Sequence, residues 1–560
     1  MTNTQNKNKV NIGMNAMFLT DSYKLHHKIM YPEGTEKVYS TWVPRSSKYL
    51  NDVDGCIVFG IQYLIKEFII NYFDENFFKR NEDDVVNEYE KFLNAFNGID
   101  ITKSIGVDHI RSLHKLGYIP VEIRALKEGC KCPIGMPYLT IVNTIPEFFW
   151  ITNYLETLIS NTLWAPAVAS TIAYGYKKEL IKHLMKTGGM KNTSPEYLVH
   201  DFSMRGCNGL NSTIAVGMSH MSCFSGSESV PAVIKMSEVY NNGDMNNIAS
   251  GIPASEHSIE CSNANFGNFD NEFEIDERAY IRRMLDQFPT GFLSIVCDGF
   301  DFFKFVQIIC TEFKDEIMKR DGRVVLRPDS GNPVRIIAGD TSITLKNGKV
   351  MNAVSTNSGV EYYCGNERVV PTIEQEGVYE ILWNTFGGIV NEKGYKVLDP
   401  HIGVIYGDSI TPERQKEIYE RLETKGFSAT NLVLGIGSYT YQYKTRDSLG
   451  LAMKATWCKI NGQGKDLFKD PKTVCGMPKK SLRGLVGMSS LNGGKTFKCW
   501  QISEEDYEAN CINDGNGNVF KDWLEPVFRD GKLLRETTIG EIRQKINDLV
   551  EEEIQNELGY

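Results

Sequence analysis

The chain has 560 residues, 41% of them hydrophobic, enough for a large core and for more than one domain. A formal net charge of -10 argues against a general nucleic-acid binder, which needs a basic face, but leaves room for a local basic pocket holding a small anion. No apolar run reaches the about 18 residues of a membrane span, the first twenty residues lack the apolar core of a secretory signal, and 13 scattered cysteines with no C-x-x-C pair read as reduced thiols of a cytoplasmic protein.

In chain order, Lys37–Trp42 alternates like a strand and Asp84–Phe96 has helical spacing. The acidic pair Asp83–Asp84 follows no apolar strand and opens that helix pattern, so it reads as a solvated helix start. Pro146 to Met185 is mostly helical, with a break expected at Pro166. Four short apolar runs then end on Gly, Asp, Ser or Arg: Leu293–Asp298, Val324–Gly331, Val404–Asp408 and Leu432–Ser438. Such runs suit strands buried on both faces, and polar residues just past their carboxyl ends are where parallel barrels place their chemistry. Two of the intervals between them are roughly one strand–helix–strand unit long. The third, Leu326 to Val404, is much longer and predicts an inserted surface excursion. Beyond residue 450 the chain turns polar and strand-like. It closes in a helix with a Thr538–Glu541 capping box and an apolar face of Ile542, Ile546, Leu549 and Val550. The expected fold is α/β: an irregular (β/α) barrel-like domain over 166–450 and a second mixed α/β domain built from 1–165 together with 451–560.

Arg327, Asp329 and Gly331 crowd into one turn, a combination able to hold a phosphorylated sugar. Gly435-Ile-Gly437-Ser438 follows a strand, but Thr440 stands where a dinucleotide fingerprint needs glycine. Gly494-Lys495-Thr496 resembles the end of a P-loop, yet Ser489 replaces the earlier glycine, and Asn492-Gly493 between apolar runs signals a hairpin. Among nine histidines, His200 and His257 have notable polar surroundings. No H-E-x-x-H spacing occurs, which argues against a catalytic metal held directly by the protein. Lys469, Lys479, Lys480 and Arg483 form a basic run that is either solvated or a diphosphate clamp.

Thr20-Asp-Ser-Tyr-Lys24, Val58-Phe-Gly-Ile-Gln-Tyr63, His200-Asp-Phe202, Arg205-Gly206, Pro253-Ala-Ser-Glu-His-Ser258, Arg327-Pro-Asp-Ser-Gly-Asn-Pro333, Gly407-Asp408 and Thr445-Arg-Asp447 together resemble the nicotinamide phosphoribosyltransferase family. The resemblance runs from near residue 15 to beyond 480. It implies a type II phosphoribosyltransferase fold, a homodimer with shared active sites, and condensation of nicotinamide with 5-phosphoribosyl 1-pyrophosphate (PRPP) in NAD salvage. It implies Mg²⁺ arriving with the diphosphate and ATP as an optional coupling substrate. By the same resemblance, Phe202 and the partner subunit's Tyr23 would sandwich the pyridine ring, with Asp21 beside Tyr23. Arg45, Arg205, His257, Arg327, Arg446, Lys454, Lys469 and Lys479 would line the phosphate and diphosphate sites. Asp329 would bind the ribose hydroxyls, supported by Asp301, and Gly407, Asp408, Gly437 and Ser438 would cradle the 5′-phosphate. His257 would accept a phosphoryl group from ATP. Ser438 and Tyr439 replace glycines of the family, and Glu228 stands where the family has an amide-binding Asp. Two alternatives remain at this point: a nicotinate phosphoribosyltransferase, and a non-catalytic nucleotide-binding dimer.

Overall fold

The computed structural model describes residues 13–50, 53–191, 193–269, 272–471, 480–490, 493–494 and 496–558. Two compact units make up the chain, one of 1–171, 236–244 and 444–549, the other of 172–235, 245–443 and 550–560.

The first unit is built on a seven-stranded antiparallel sheet, in the order Gln463–Asp466, Ala452–Ile460, Thr35–Val43, Leu139–Asn143, Val121–Ala125, Glu525–Arg529 and Lys532–Leu533. Tyr39, Val142 and Trp457 of this sheet share a core with Leu485, Val486 and Ile502. The last three lie on the antiparallel pair Leu485–Ser490 and Phe497–Ile502, the hairpin expected there. Gly493 and Gly494 take positive φ in its turn, and a Cβ on Gly494 would stand 2.6 Å from the Trp523 ring, so these glycines serve the turn. Asn492 and Lys495 lie outside the described residues. The expected helix over 84–96 spans Glu82–Asn97, capped by Asn81, and Arg111 pairs with Glu82 and Asp83 at its start. Pro166 does not break its helix, which is continuous over Glu156–Thr187. A proline removes one donor, and the remaining hydrogen bonds of a 32-residue helix carry it through.

The second unit holds a six-stranded parallel sheet in the order Thr290–Val296, Asp321–Arg327, Ile402–Tyr406, Leu432–Ile436, Val199–Asp201 and Gly226–Ser227. All four expected strands are neighbours in it. Single parallel bridges, Gly226 to Ser250 and Ala254 to Ser294, bring both edges of the sheet onto the segment 250–254, curling it into an irregular barrel. The long interval between Arg327 and Ile402 contains a separate antiparallel sheet over Ser342–Val369 and a hairpin, Gly388–Val390 with Lys396–Leu398.

Four segments change sides relative to the expected domains, with 166–171 and 444–450 joining the first unit. Residues 236–244 belong with the first unit, where Gln62 donates to the Val239 carbonyl (2.6 Å) and the Tyr240 hydroxyl bonds Glu128 (3.0 Å). The end of the last helix belongs with the second, where Lys178 pairs with Glu553 and Glu557. That helix begins on the Thr538–Glu541 capping box and buries Ile542, Ile546 and Val550 as its pattern predicts.

Candidate active site

The carboxyl ends of the parallel strands open onto a cavity of about 1930 Å³ within the second unit. This exceeds the about 300–1,000 Å³ of an ordinary small-ligand pocket, since the cavity extends to Phe292, Arg323 and Ile402 at the opposite ends of the strands. Phe202, Arg205, Glu228, Arg327, Asp329, Gly407, Asp408, Gly437 and Ser438 line it.

Phe202 directly follows the strand Val199–Asp201, and its ring rests on neighbouring backbone. A Cβ at Gly407 would stand 2.6 Å from the ring, and one at Gly435 2.3 Å. These two glycines let an aromatic ring lie at the strand ends. Gly435 therefore does not act as the phosphate-loop glycine that its spacing suggests. Ser438 fills the space beside Gly206, where a Cβ would meet its hydroxyl at 1.9 Å. The histidine before Phe202 is structural: His200 Nε2 bonds the Tyr197 carbonyl (3.0 Å), and burial pushes its imidazole down to about 4.

A cluster of charged groups gathers around Asp298, which the sequence reading left out of the site. Asp298 follows the strand Thr290–Val296. One of its oxygens accepts His257 Nε2–H (3.0 Å), and the other accepts the backbone N–H groups of Asp329 (2.9 Å) and Ser330 (2.6 Å). Its side chain is only 3% exposed. Burial alone would raise its pKa, but the Asp329 and Ser330 donors and His257 outweigh burial and hold the carboxyl below its usual range. Asp329 goes the other way, pushed up by burial and by the neighbouring Asp298 charge, with His257 and Arg327 opposing. Asp329 lies 3.6 Å from His257 Nε2 and 3.9 Å from the Arg327 guanidinium. Arg327, the last residue of its strand, donates to the Ser255 carbonyl (2.6 Å), while its buried Nε has no acceptor among the described residues. A guanidinium with a free donor beside a cavity is suited to an anion.

Asp301 does not join this cluster. It caps the helix Phe302–Ile308, accepting the Lys304 N–H at 3.0 Å. Asp298 follows an apolar strand, whereas Asp301 sits one residue before an aromatic helix start. Glu228 lines the cavity, its side chain accepting no hydrogen bond among the described residues, and its backbone N–H bonds the Asp201 carbonyl. Burial raises its pKa, opposed by the Arg327 charge.

His257, Asp298 and Asp329 present ligand atoms within 4.8 Å of one another, so a long-range cluster stands where sequence spacing offered no local metal motif.

The remaining residues expected at the site lie in the first unit. Asp21 accepts the Thr157 hydroxyl (2.8 Å), and Tyr23 is 55% exposed. Arg45 donates to the Gly450 carbonyl (2.8 Å), and its pKa is lowered by burial and by the charge of Arg446. Lys454 is 3.6 Å from Glu156, and its pKa is lowered by burial, then by Arg45 and Lys24 against the Glu156 carboxylate. Arg45, Arg446, Lys454 and Lys24 thus form a cationic group. Lys469 is exposed, its N–H bonded to Ser481, and Lys480 pairs with Asp470. Lys479 lies outside the described residues.

The profile of the nicotinate phosphoribosyltransferase (NAPRTase) family matches residues 197–524, and that of the nicotinamide phosphoribosyltransferase N-terminal domain matches 15–123. A nicotinamide phosphoribosyltransferase of Acinetobacter baylyi is 37% identical over 551 residues, covering 96% of this chain and 98% of that protein. The chain belongs to the nicotinamide phosphoribosyltransferases of the NAPRTase family. A second member of these enzymes, from Mycoplasma pneumoniae, is 30% identical over 84% of this chain and 95% of its own length. A nicotinate-nucleotide pyrophosphorylase from Pyrococcus furiosus shares the fold, with a TM-score of 0.52 at 13% identity over 99% of each chain. Within this phosphoribosyltransferase fold, the parallel-strand ends carry Phe202, Arg327 and Asp329 as described.

Proposed function

We propose that this chain condenses nicotinamide with PRPP, giving nicotinamide mononucleotide and pyrophosphate. The observation that carries this reading is one cavity in which an aromatic ring on a glycine floor, Phe202, shares space with a guanidinium that keeps a free donor, Arg327.

The pyridine nitrogen of nicotinamide already has its lone pair, so no base has to remove a proton. Departure of pyrophosphate leaves a cation-like sugar and a highly charged leaving group. The enzyme must align two reactants and stabilise the charge that develops. Phe202 would stack one face of the pyridine, with the partner subunit's Tyr23, next to Asp21, on the other. Glu228 would accept the carboxamide N–H. Arg205 and Arg327 would hold phosphate oxygens, Asp329 the ribose hydroxyls, and the backbone of Gly407–Asp408 and Gly437–Ser438 the 5′-phosphate. Arg45, Arg446 and Lys454, with Lys469 and Lys479, would meet the diphosphate from the neighbouring subunit of a homodimer.

Mg²⁺ would accompany the diphosphate. Both Asp298 oxygens are committed to His257 and to the 329–330 backbone, so Asp329 is the carboxylate left to receive the ion's waters. The ion supplies neutralisation of the leaving group. ATP is the proposed coupling substrate: with His257 Nε2–H held by Asp298, Nδ1 keeps the lone pair a phosphoryl group requires. A cytoplasmic location fits the described cysteines, all free thiols, and no described helix is long and apolar enough to cross a membrane.

The test is pyrophosphate release by the purified chain with Mg²⁺. Release that requires both PRPP and nicotinamide supports the reading. Release with PRPP alone, or none under any combination, rejects it. Nicotinate is the second substrate to offer, since Glu228 is the residue expected to exclude it.

A further inference from the structure

Behind the His257–Asp298–Asp329 cluster lies a second pair of carboxyls that phosphoribosyl transfer does not use. Glu260 is fully buried three residues beyond His257 on the helix His257–Asn263, and Glu277 is buried immediately before the helix Arg278–Gln287. The two side chains are within hydrogen-bonding reach of each other. Yet both oxygens of Glu260 and Oε1 of Glu277 lack a well-formed hydrogen bond among the described residues, although the backbone N–H of Gly299 faces Glu260. Buried polar atoms are almost always bonded, and two facing carboxylates would add repulsion to the loss of solvent.

The charged groups around the pair do not resolve this. His257 and Asp298 act on Glu260 from a distance with opposite signs, as Lys304 and Asp301 do on Glu277. A proton on one carboxyl resolves it, because a protonated carboxyl donates while its partner accepts. Burial, then the bond to Glu260 and its charge, pushes Glu277 up to about 8, in accord with this geometry.

The pair is also packed against the site. A Cβ on Gly299 would stand 2.4 Å from Glu260 Oε2, so the turn after the strand Thr290–Val296 lies directly on this carboxyl. Gly299 adjoins Asp298, whose oxygens orient His257 and anchor residues 329 and 330. We infer that Glu260 and Glu277 share a single proton and act as a positioning pair, fixing the turn that holds Asp298 against His257.

The kinetic part of the test rests on the proposed phosphoribosyl transfer, whereas the spectroscopic part does not. In the infrared difference spectrum of the full chain at pH 7, wild type minus Glu277→Gln, a protonated-carboxyl C=O band is expected. Glu277→Ala, which strands Glu260 alone, is expected to lower kcat/KM about tenfold or more. Glu277→Gln, whose amide can donate to Glu260, is expected to recover most of that loss. A difference spectrum without the band overturns the shared proton. Equal kcat/KM in Glu277→Gln and Glu277→Ala overturns the positioning role. Should the kinetics fail because the substrates are wrong, the infrared result still decides the shared proton.

Discussion

Two arginines on two sheets show how differently this chain treats a buried charge. In the first unit, Arg124 and Glu122 alternate along the strand Val121–Ala125, and their side chains are 5% and 6% exposed. Arg124 Nε donates to Glu122 (2.5 Å), its NH1 bonds the Tyr507 carbonyl (2.7 Å), and its guanidinium lies 3.6 Å from the centroid of the Tyr507 ring. In the second unit, Arg327 ends a parallel strand with one bond to a carbonyl, a loose contact with Asp329 and an unused buried Nε. The first guanidinium is consumed by the fold. The second lines the cavity with fewer partners than the first, as suits a cation that meets an anionic ligand.

The sharpest contrast is therefore between two truncations. Arg327→Ala should lower kcat/KM by about a hundredfold or more, with the melting temperature little changed, because the lost contacts are those made to substrate. Arg124→Ala should do the reverse, costing about 1.5–3 kcal/mol of stability by removing charge-assisted bonds to Glu122 and the Tyr507 carbonyl, with activity per folded molecule intact, since Glu122 keeps Arg529 and the Tyr507 hydroxyl. Steady-state kinetics and thermal unfolding on both variants check this, and the same phenotype from both would erase the distinction. Mixing Arg327→Ala with Tyr23→Ala should restore part of the activity through one intact hybrid site. No recovery despite demonstrated subunit exchange would mean that each site is built within one chain.

Glu228 offers a smaller, chemical version of the contrast. An ionised carboxylate accepts an amide N–H but repels a second carboxylate. Glu228→Gln should shift the preference toward nicotinate by about tenfold, while Glu228→Asp should keep the preference for nicotinamide. Since burial raises its pKa against the pull of Arg327, discrimination should also weaken as pH falls through that raised value. Competition assays across pH measure both effects. For His257→Ala, the ratio of rates with and without ATP should fall to unity, and the acid-labile phosphate formed from ATP should vanish. Equal ATP stimulation in both proteins would remove His257 from that role.

The smallest effect concerns a histidine with no part in the site. His109, buried edge-on to Trp150, is held down at about 3 from an ordinary 6.5 by burial. The unfolded chain binds its proton below 6.5 and the folded chain does not, so the stability it supports is present above 6.5 and lost as pH falls toward 3. His109→Phe should flatten that part of the stability profile in chemical denaturation.

What could be read in advance follows the range of the interactions. The four parallel strands carry their signal within five or six residues, and so does the capping box at Thr538. Phe202, Arg327 and Asp329 were marked by motif, and the fold brings them to one cavity. Asp298 was passed over for Asp301, since only the parallel pairing of Thr290–Val296 with Asp321–Arg327 brings residues 329 and 330 onto its carboxylate. Gly435 looks like a phosphate-loop residue because spacing does not reveal that the Phe202 ring rests on it, as it does on Gly407. Pro166 misled for the opposite reason, a strong local signal outweighed by a long helix.

The most direct measurement offers the purified chain equal nicotinamide and nicotinate with limiting PRPP and Mg²⁺, and identifies the mononucleotide formed by mass spectrometry. Nicotinamide mononucleotide in large excess is the result predicted from Phe202, Glu228 and Arg327 acting in one cavity. Nicotinate mononucleotide in equal or greater amount would contradict it.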